Sequence, residues 1–297
     1  MDGKGIQSRA SREGSSKGEF MLKELAIVAA IAAAAVSVQA QGCTRDGLKA
    51  MIADYFKAVE THDMSALSTA ADLRITENGQ VMQPGEGFFK SGGAVLLERD
   101  LIDTERCGTA TIAVTNETVN GAQTLVVMAV RLKVVEGKVS EIETIVTREA
   151  EEKRFYNPQE LLSTKDQDWT TPLPPDKRLT REYMNDGANK YFDAFVKDPT
   201  VLPPFAARCD RWEGGLHTTP TGNCSPKGLV LTHTHRRFEV TDLELGETAV
   251  FINFGTALPD VHIFKYNADG KLYLINAVFG GRNSNAIWPE DKDTAMK

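Results

Sequence analysis

The sequence predicts an α+β protein that contains two tandem copies of one fold. Two amphipathic helices, residues 44–60 and 180–196, both open with Thr-Arg and both contain Tyr-Phe, with Tyr55 and Tyr191 lying 136 positions apart. Each helix is followed by segments with the apolar alternation of β-strands, and a proline-rich stretch separates the copies. Helices followed by consecutive strands are typical of an α+β fold, and a constant offset indicates an internal repeat.

The first 40 residues are expected to lie outside the fold. Residues 1–20 are polar and rich in Gly and Ser, and we interpret them as a leader or upstream extension. Residues 21–40 combine Lys23, an apolar run and small residues before a cleavage point after Ala40, which is typical of a signal peptide. We therefore predict a secreted, extracellular protein with no membrane segment after cleavage. The net charge of −7 gives no reason to expect a nucleic-acid partner.

Four cysteines follow the predicted signal peptide, and an even count in an oxidising compartment indicates two disulfides. Three pairings are open. Cys209–Cys224 closes the shortest loop, which leaves Cys43–Cys107. Asn116 begins an Asn-Glu-Thr tripeptide and is a candidate glycosylation site.

The domain boundaries are inferred from the predicted strands and from the linker between the copies. In copy one the predicted strands are residues 109–114, 123–135 and 139–147, and in copy two they are 232–241, 248–254, 261–266 and 272–279. Four prolines and no periodicity make residues 163–178 a linker, although Trp169 is expected to pack onto a domain. The predicted organisation is a first domain at 41–162, that linker, a second domain at 179–285 and a tail at 286–297.

The order of elements and one set of residues carry a resemblance to known proteins. The residues are Cys43-Thr-Arg45, Tyr55, Thr76-Glu-Asn78, Cys107, Trp169, Cys209-Asp-Arg211, Glu213-Gly-Gly215, Cys224, Arg236-Arg237, Asp260, His262 and Phe264. The order of elements resembles the nuclear-transport-factor-2-like (SnoaL-like, cystatin-like) cone, in which helices pack on a curved antiparallel sheet. More narrowly, the chain resembles a family of secreted fungal proteins with two such cones in tandem, over nearly all of residues 43–280. The resemblance implies the fold, whereas the wider fold hosts lyases, isomerases, hydrolases, cyclases and non-catalytic proteins.

Copy two carries more candidate chemistry than copy one, so we place the site there. His262 lies on a strand face with Phe264 and is a candidate general acid/base, with Glu213 as its partner. The alternative for His262 is a structural histidine bonded to a turn. Glu213 has a counterpart, Glu77, at the same 136-residue offset in the copy that we expect to be inactive, which leaves a framework role open.

Four further residues are candidate substrate ligands: Arg211, Arg237, Tyr191 and His217. The arginines suit a carboxylate or phenolate, but a structural ion network with neighbouring acidic residues is the alternative. Tyr191 is either a core residue or an oxyanion donor.

No cofactor or metal is expected. His233 and His235 share a strand face, but a plain meander puts another strand between them and His262, about 10 Å away, too far to share one zinc. In copy one, Arg131 is the polar residue expected inside the cone. The copy-two strands are apolar on both faces, so the outer face needs cover from either copy one or a second subunit in a homodimer.

Two functions remain open. The first is a secreted, cofactor-independent acid/base enzyme, of lyase, isomerase or hydrolase type, that acts on a small organic molecule in the second domain. The second is a non-catalytic extracellular protein that binds a small molecule or a partner. An open cavity with a carboxylate and a histidine favours the first, and a cavity filled with aromatic rings favours the second.

Overall fold

The computed structural model describes Met1 and residues 43–231, 233–255 and 258–282, without the side chains of residues 233–235. The predicted leader, signal peptide and tail, and the side chains of His233 and His235, therefore lie outside the described residues. The fold described below belongs to a single compact unit, Gly42–Lys297. Within the described ranges, no helix is both long and apolar enough to cross a membrane.

The first copy, cone one, consists of two helices and six strands. Its helices are α1 (Arg45–Thr61) and α2 (Phe88–Ser91), with a short 3₁₀ turn at Met64–Ala66. Its strands are β1 (Thr69–Glu77), β2 (Gln80–Met82), β3 (Gly92–Asp103), β4 (Gly108–Val119), β5 (Ala122–Val135) and β6 (Lys138–Thr147).

The second copy, cone two, repeats this plan after a connection that contains the helix α3 (Pro158–Leu162) and a 3₁₀ turn at Pro175–Lys177. Its main helix is α4 (Arg181–Asp193). Its strands are β7 (Phe205–Glu213), β8 (Leu216–His217), β9 (His233–Asp242), β10 (Glu247–Phe254), β11 (Leu258–Tyr266) and β12 (Leu272–Phe279).

The two sheets have the same topology. Each has six strands, in the orders β2-β1-β6-β5-β4-β3 and β8-β7-β12-β11-β10-β9. The first long strand of each copy runs parallel to the last, and the other neighbours are antiparallel. The predicted tandem α+β fold is confirmed. The sequence patterns identified β4–β6 and β9–β12, but they missed the opening strands and β3.

Each sheet wraps its inner face around one helix. Thr44 and Thr180 cap the two helices by accepting hydrogen bonds from Gly47 N (3.1 Å) and Tyr183 N (3.2 Å). The apolar stripe of each helix is buried against its sheet. The core of cone one includes Leu48, Ile52, Tyr55, Phe56, Met128, Val130, Leu132 and Val146. The core of cone two includes Met184, Ala188, Tyr191, Phe192, Val250, Ile252, Phe264 and Ile275.

The outer faces of the two sheets pack against each other. Phe251 and Val261 of cone two are fully buried in a cluster with Ile112 and Val127 of cone one. Burying a side chain such as Phe251 contributes roughly 1.5–3 kcal/mol. Copy one therefore covers the outer face of copy two, which is the first of the two possibilities that the sequence left open.

Trp169 lies in the same cluster, as predicted for this linker residue, and is 6% exposed. The Arg99 guanidinium lies 4.3 Å from the centroid of its ring and the Lys265 ammonium lies 5.3 Å from it. Two cations over one indole are favourable because the ring face is electron-rich. The linker is thus fastened to both cones through a single tryptophan.

Candidate functional site

His262 occupies the centre of the inner face of cone two. It lies on β11 opposite Val250 of β10, and it is 1% exposed. Alternation along the strand turns its side chain toward α4. Five aromatic rings have their centroids 5.2–6.5 Å from the imidazole: Tyr191, Phe192, Phe254, Phe264 and Phe279.

Asp260 orients this histidine. Nδ1 of His262 lies 2.6 Å from Oδ1 of Asp260, two positions earlier on the same strand face. Because a carboxylate accepts, this contact assigns the hydrogen of a neutral imidazole to Nδ1, and in that tautomer Nε2 carries the lone pair. Neither His262 Nε2 nor Asp260 Oδ2 has a hydrogen-bond partner within the described part of the chain. Burial raises the pKa of Asp260 to about 6, against the opposing effect of the imidazole.

A second polar group on the inner face connects β7 to α4. Arg211 donates from a terminal nitrogen to the Tyr191 hydroxyl (2.9 Å), and its Nε lies 3.1 Å from Oε2 of Glu213. Burial raises the pKa of Tyr191 to about 12, although the nearby guanidinium opposes this shift. Tyr191 therefore stays protonated near neutral pH. Because its oxygen accepts from Arg211, its own hydrogen remains available to donate.

The two groups meet at Tyr191, whose ring centroid is 5.7 Å from that of His262. The structure thus collects four of the predicted residues (Tyr191, Arg211, Glu213 and His262) on one face. It corrects one pairing, because the partner of His262 is Asp260 and the partner of Glu213 is Arg211. The signal for Asp260 was its spacing of two residues from His262, which puts both side chains on one strand face.

His217 and Arg237 lie elsewhere, and this corrects their predicted placement in the pocket. His217 stands directly opposite Trp212, stacks on its indole at 4.3 Å and bonds Asp210 through Nε2 (3.0 Å). Trp212 belongs to the cluster between the sheets, so His217 is on the outer face.

Arg237 is also on the outer face. Its neighbour Phe238 packs in the inner core of cone two, and successive strand residues point to opposite faces. Arg237 pairs with Glu143 of cone one and with Glu239 (2.7 Å). Arg131, expected inside cone one, joins the same buried network through Glu143 at 2.9 Å. The network fits the alternative that the sequence left open, in which the arginines neutralise neighbouring carboxylates.

The hydrogen-bonded pair of Asp260 and His262 is called the dyad below. The strand registers show which residues cone one has at the same positions. Val130 lies opposite Thr144, which also pairs with Glu77. In cone two, His262 lies opposite Ala277, which pairs with Glu213. Val130 is therefore the counterpart of His262.

By the same register, Met128 is the counterpart of Asp260, since each lies two residues earlier on its strand. The dyad belongs to the second copy alone, whereas the glutamate and the helix tyrosine belong to both.

Cone one has its own polar group, which the sequence patterns did not find. Arg148, just beyond the end of β6, donates to Glu117 (2.7 and 2.8 Å) and to Glu77 (2.8 Å). These residues line a cleft of about 1040 Å³ at the mouth of the cone. The only sequence signal was Glu77, because Arg148 and Glu117 come from strands that are distant in the chain.

Two disulfides brace the ends of the cones, and both have the pairing that loop length favoured. Cys43–Cys107 ties the start of α1 to the turn before β4, and Cys209–Cys224 ties β7 to the segment after β8. Asn116 lies within β4 and is partly exposed, and its glycosylation stays a prediction. No group of three or more His, Cys, Asp or Glu side chains in the described ranges is arranged to hold a metal ion.

Fold and site define a class, the tandem α+β proteins in which each half packs one main helix against a six-stranded sheet. The family described as "Domain of unknown function (DUF8021)" matches residues 41–146 and 177–279. The chain belongs to this family, and the two matched segments cover nearly all of the two cones. No curated protein matched the sequence.

Three similar solved structures each align with about one third of this chain. IdmH from Streptomyces antibioticus, a candidate polyketide cyclase, aligns at 18% identity, with 33% of this chain and 91% of IdmH covered, at a TM-score of 0.26. Its 96–104 loop truncation variant aligns at 21% identity over 33% and 91% of the two chains (TM-score 0.27). AclR from Streptomyces galilaeus, a candidate hydroxylase, aligns at 17% identity over 35% and 91% (TM-score 0.29).

Proposed function

We propose that cone two is the site of a cofactor-independent acid/base enzyme, of lyase, isomerase or hydrolase type, that acts on a small organic molecule. The observation that supports this proposal is the Asp260–His262 dyad. A carboxylate fixes one imidazole nitrogen at 2.6 Å, and the other nitrogen is buried without a partner among the described residues. Buried polar atoms are normally hydrogen-bonded, so a histidine with a purely structural role would have both nitrogens satisfied.

Nε2 of His262 is the base. It takes a proton from a C–H or O–H group of the substrate, and the imidazolium that forms is stabilised by Asp260. The same nitrogen returns the proton to the product, so the cycle needs no external reagent for an isomerisation. Asp260 acts by holding the tautomer and the ring orientation.

Tyr191 and Arg211 bind the negative charge that develops on the substrate. The Tyr191 hydroxyl hydrogen donates to the substrate oxygen, and the Arg211 behind it polarises the phenol at 2.9 Å. Glu213 keeps the guanidinium in place at 3.1 Å. In this arrangement Glu213 is a positioning residue and is not the proton carrier.

Access to the dyad requires movement of the aromatic rings, because His262 and Asp260 are 1% and 0% exposed. Phe254, 8% exposed, is the most exposed of the five rings around the imidazole. The other four rings are more deeply buried. An apolar surrounding suits the reaction, since it strengthens the electrostatic interactions of the dyad with a substrate.

Non-catalytic binding is the second candidate, and the five rings packed around His262 favour it. In that case the free Nε2 accepts a hydrogen bond from a ligand and no proton is transferred. We also propose that the protein is secreted, which the two disulfides support because such bonds persist in oxidising compartments.

A proton-exchange assay separates these candidates. A panel of small enolisable ketones is incubated with the protein in D₂O, and NMR follows loss of the α-proton signal. We expect the wild type to accelerate exchange of at least one ketone and His262→Gln to lose about 100-fold or more of that rate. His217→Gln is the matched control, since this histidine lies on the outer face, and its rate should equal the wild-type rate.

Exchange that survives in His262→Gln contradicts the assignment of the base. Saturable binding of a ketone without exchange favours the binding protein. Absence of both binding and exchange across the panel contradicts the proposal for carbonyl substrates.

A further inference from the structure

The cleft of cone one is separate from the dyad and has the features of a second binding site. Its volume is about 1040 Å³, and it lies between α2, the β4–β5 turn and the segment after β6. Val126 and Tyr156 lie on one wall. Pockets of roughly 300–1,000 Å³ with an apolar wall and a few convergent polar groups are typical of small-molecule sites.

The wall is fixed in place. The Tyr156 hydroxyl donates to the Leu125 carbonyl at 2.6 Å, and the Tyr156 backbone pairs with Gly215 of cone two. The ring is therefore held from two sides before any ligand arrives. A preformed wall lowers the entropy cost of binding.

The floor of the cleft holds one cation and two anions. Arg148 lies between Glu117 and Glu77, and its bonds to them are 2.7–2.8 Å long. Glu117 is 2% exposed and Glu77 is 8% exposed, so both carboxylates are shielded from water. One guanidinium neutralises one of them, which leaves one net negative charge on the floor. A charge that is kept from water is costly unless a partner pairs with it.

The floor has hydrogen-bond acceptors to spare and few donors. Arg148 uses Nε and one terminal nitrogen on the two carboxylates, and its other terminal nitrogen lies 3.7 Å from Glu151. Ser91 gives its hydroxyl hydrogen to Glu117, and the amide of Phe88 gives its hydrogen to Glu77. A ligand that complements this floor must therefore donate hydrogen bonds.

An independent observation lies deeper in the cone. The hydroxyl of Thr115 is fully buried and has no hydrogen-bond partner within the described residues. Thr115 is two positions before Glu117 on β4, so both side chains share the inner face, and it stands opposite Val126 of the cleft wall. Thr115 is not one of the cleft-lining residues, but its unpartnered hydroxyl lies on the same strand face as Glu117, next to the floor.

We propose that this cleft binds a small organic cation, an ammonium group on an apolar or aromatic body. The ammonium sits on Glu117 and Glu77, and the body lies along Val126 and Tyr156. The Tyr156 ring adds a cation–π attraction at the edge of the floor. Four other charged residues line the cleft, Lys90, Glu149, Glu151 and Lys153, and all four are exposed, so water screens their charges.

The test uses two probes of nearly equal shape, 4-fluorobenzylamine and 4-fluorobenzyl alcohol, with ¹⁹F NMR titrations at pH 7. We expect the amine to bind the wild-type protein at least about tenfold more tightly than the alcohol. Glu117→Gln removes the excess negative charge, so this preference should fall to within about twofold. Glu149→Gln is the matched control, because it removes the same charge from an exposed residue of the cleft rim, and it should keep the preference.

Three results overturn the proposal. They are equal binding of the two probes by the wild type, an equal loss of preference in Glu149→Gln and Glu117→Gln, and no binding of the amine up to its solubility limit. The wild-type comparison needs no variant, so poor folding of Glu117→Gln does not hide the answer. His262→Gln should bind the amine as the wild type does, which keeps this site distinct from the dyad of cone two.

Discussion

Arg45 of cone one donates two hydrogen bonds, 3.0 and 2.8 Å long, to the carboxylate of Asp242 of cone two. Arg181 of cone two binds Asp103 of cone one in the same way, at 2.7 and 2.9 Å. Both arginines begin the main helix of their copy, and both aspartates end a strand.

The reciprocity extends to the backbone, because Asp242 accepts from Ile102 N and Asp103 accepts from Thr241 N, each at 2.9 Å. The two copies therefore pack with the self-complementary pattern of a twofold dimer, within one chain.

Arg45→Met and Arg181→Met should destabilise the protein by similar amounts. Each leaves a buried aspartate, 0% exposed in both cases, without its guanidinium. Loss of one partner of a buried pair costs roughly 3–5 kcal/mol, and we expect about 2 kcal/mol because each aspartate keeps its backbone donors. Urea unfolding measures this. Arg208→Met, whose arginine is 63% exposed, is the control and should change stability by less than about 0.5 kcal/mol. Unequal losses at Arg45 and Arg181 would contradict the symmetry.

The activity of cone two should depend on the ionisation of Asp260. Burial raises its pKa to about 6, and below that pH the protonated carboxyl no longer accepts from Nδ1. Ketone exchange should therefore fall about tenfold per pH unit below pH 6. In Asp260→Asn the rate should be low and this acidic limb should disappear. A wild-type rate that stays flat from pH 7 to pH 4 would show that the dyad does not control the reaction.

The same group predicts how stability changes with pH. The pKa of Asp260 is raised in the folded state from an ordinary value of 3.8, so folding favours the protonated form. Its contribution to stability is fully present below pH 3.8 and is lost as the pH rises through 6.

Relative to Asp260→Asn, the wild type should therefore lose up to about 3 kcal/mol of unfolding free energy between pH 4 and pH 8. Denaturant titrations of both proteins at the two pH values give this difference. A constant gap would contradict the raised pKa.

The two disulfides should contribute unequally. Cys43–Cys107 closes a sequence separation of 64 residues and Cys209–Cys224 one of 15. Chain entropy predicts costs of about 4 and about 3 kcal/mol for their removal. Paired Cys→Ser variants at each bond, compared by urea unfolding without reductant, test the order. A larger loss for the shorter loop would indicate that the folded-state environment outweighs the entropy of the unfolded chain.

Sequence reasoning succeeded where one periodic pattern decides the answer. The offset between Tyr55 and Tyr191 indicated the repeat, and alternation along β11 put His262 inside cone two. It failed for Arg237 and His217, because the face that a strand residue occupies depends on the register of neighbouring strands.

It also missed Arg148 and Glu117, which converge from the end of β6 and from β4. Nothing local in either segment marks that meeting. The repeat itself was a useful guide to chemistry, since the residues unique to one copy, Asp260 and His262, form the dyad.

Gly215 of cone two lies against the connection between the copies, and its substitution should be costly. Gly215 has a φ of +94°, and a β-carbon there would lie 2.5 Å from the Asn157 carbonyl oxygen. Gly215→Ala therefore combines a left-handed backbone with a steric clash, and we expect a loss of more than about 2 kcal/mol. It should also displace Tyr156, whose backbone pairs with Gly215.

Gly121→Ala is the matched control, because its φ is +78° and a β-carbon there would meet nothing within 4 Å. It should cost about 1 kcal/mol, the backbone contribution alone. The difference between the two variants in urea unfolding isolates the close approach of residues 155–157 to cone two. If the two losses are equal, that approach adds nothing to stability. If Gly215→Ala also weakens binding of 4-fluorobenzylamine while Gly121→Ala does not, the position of Tyr156 depends on cone two.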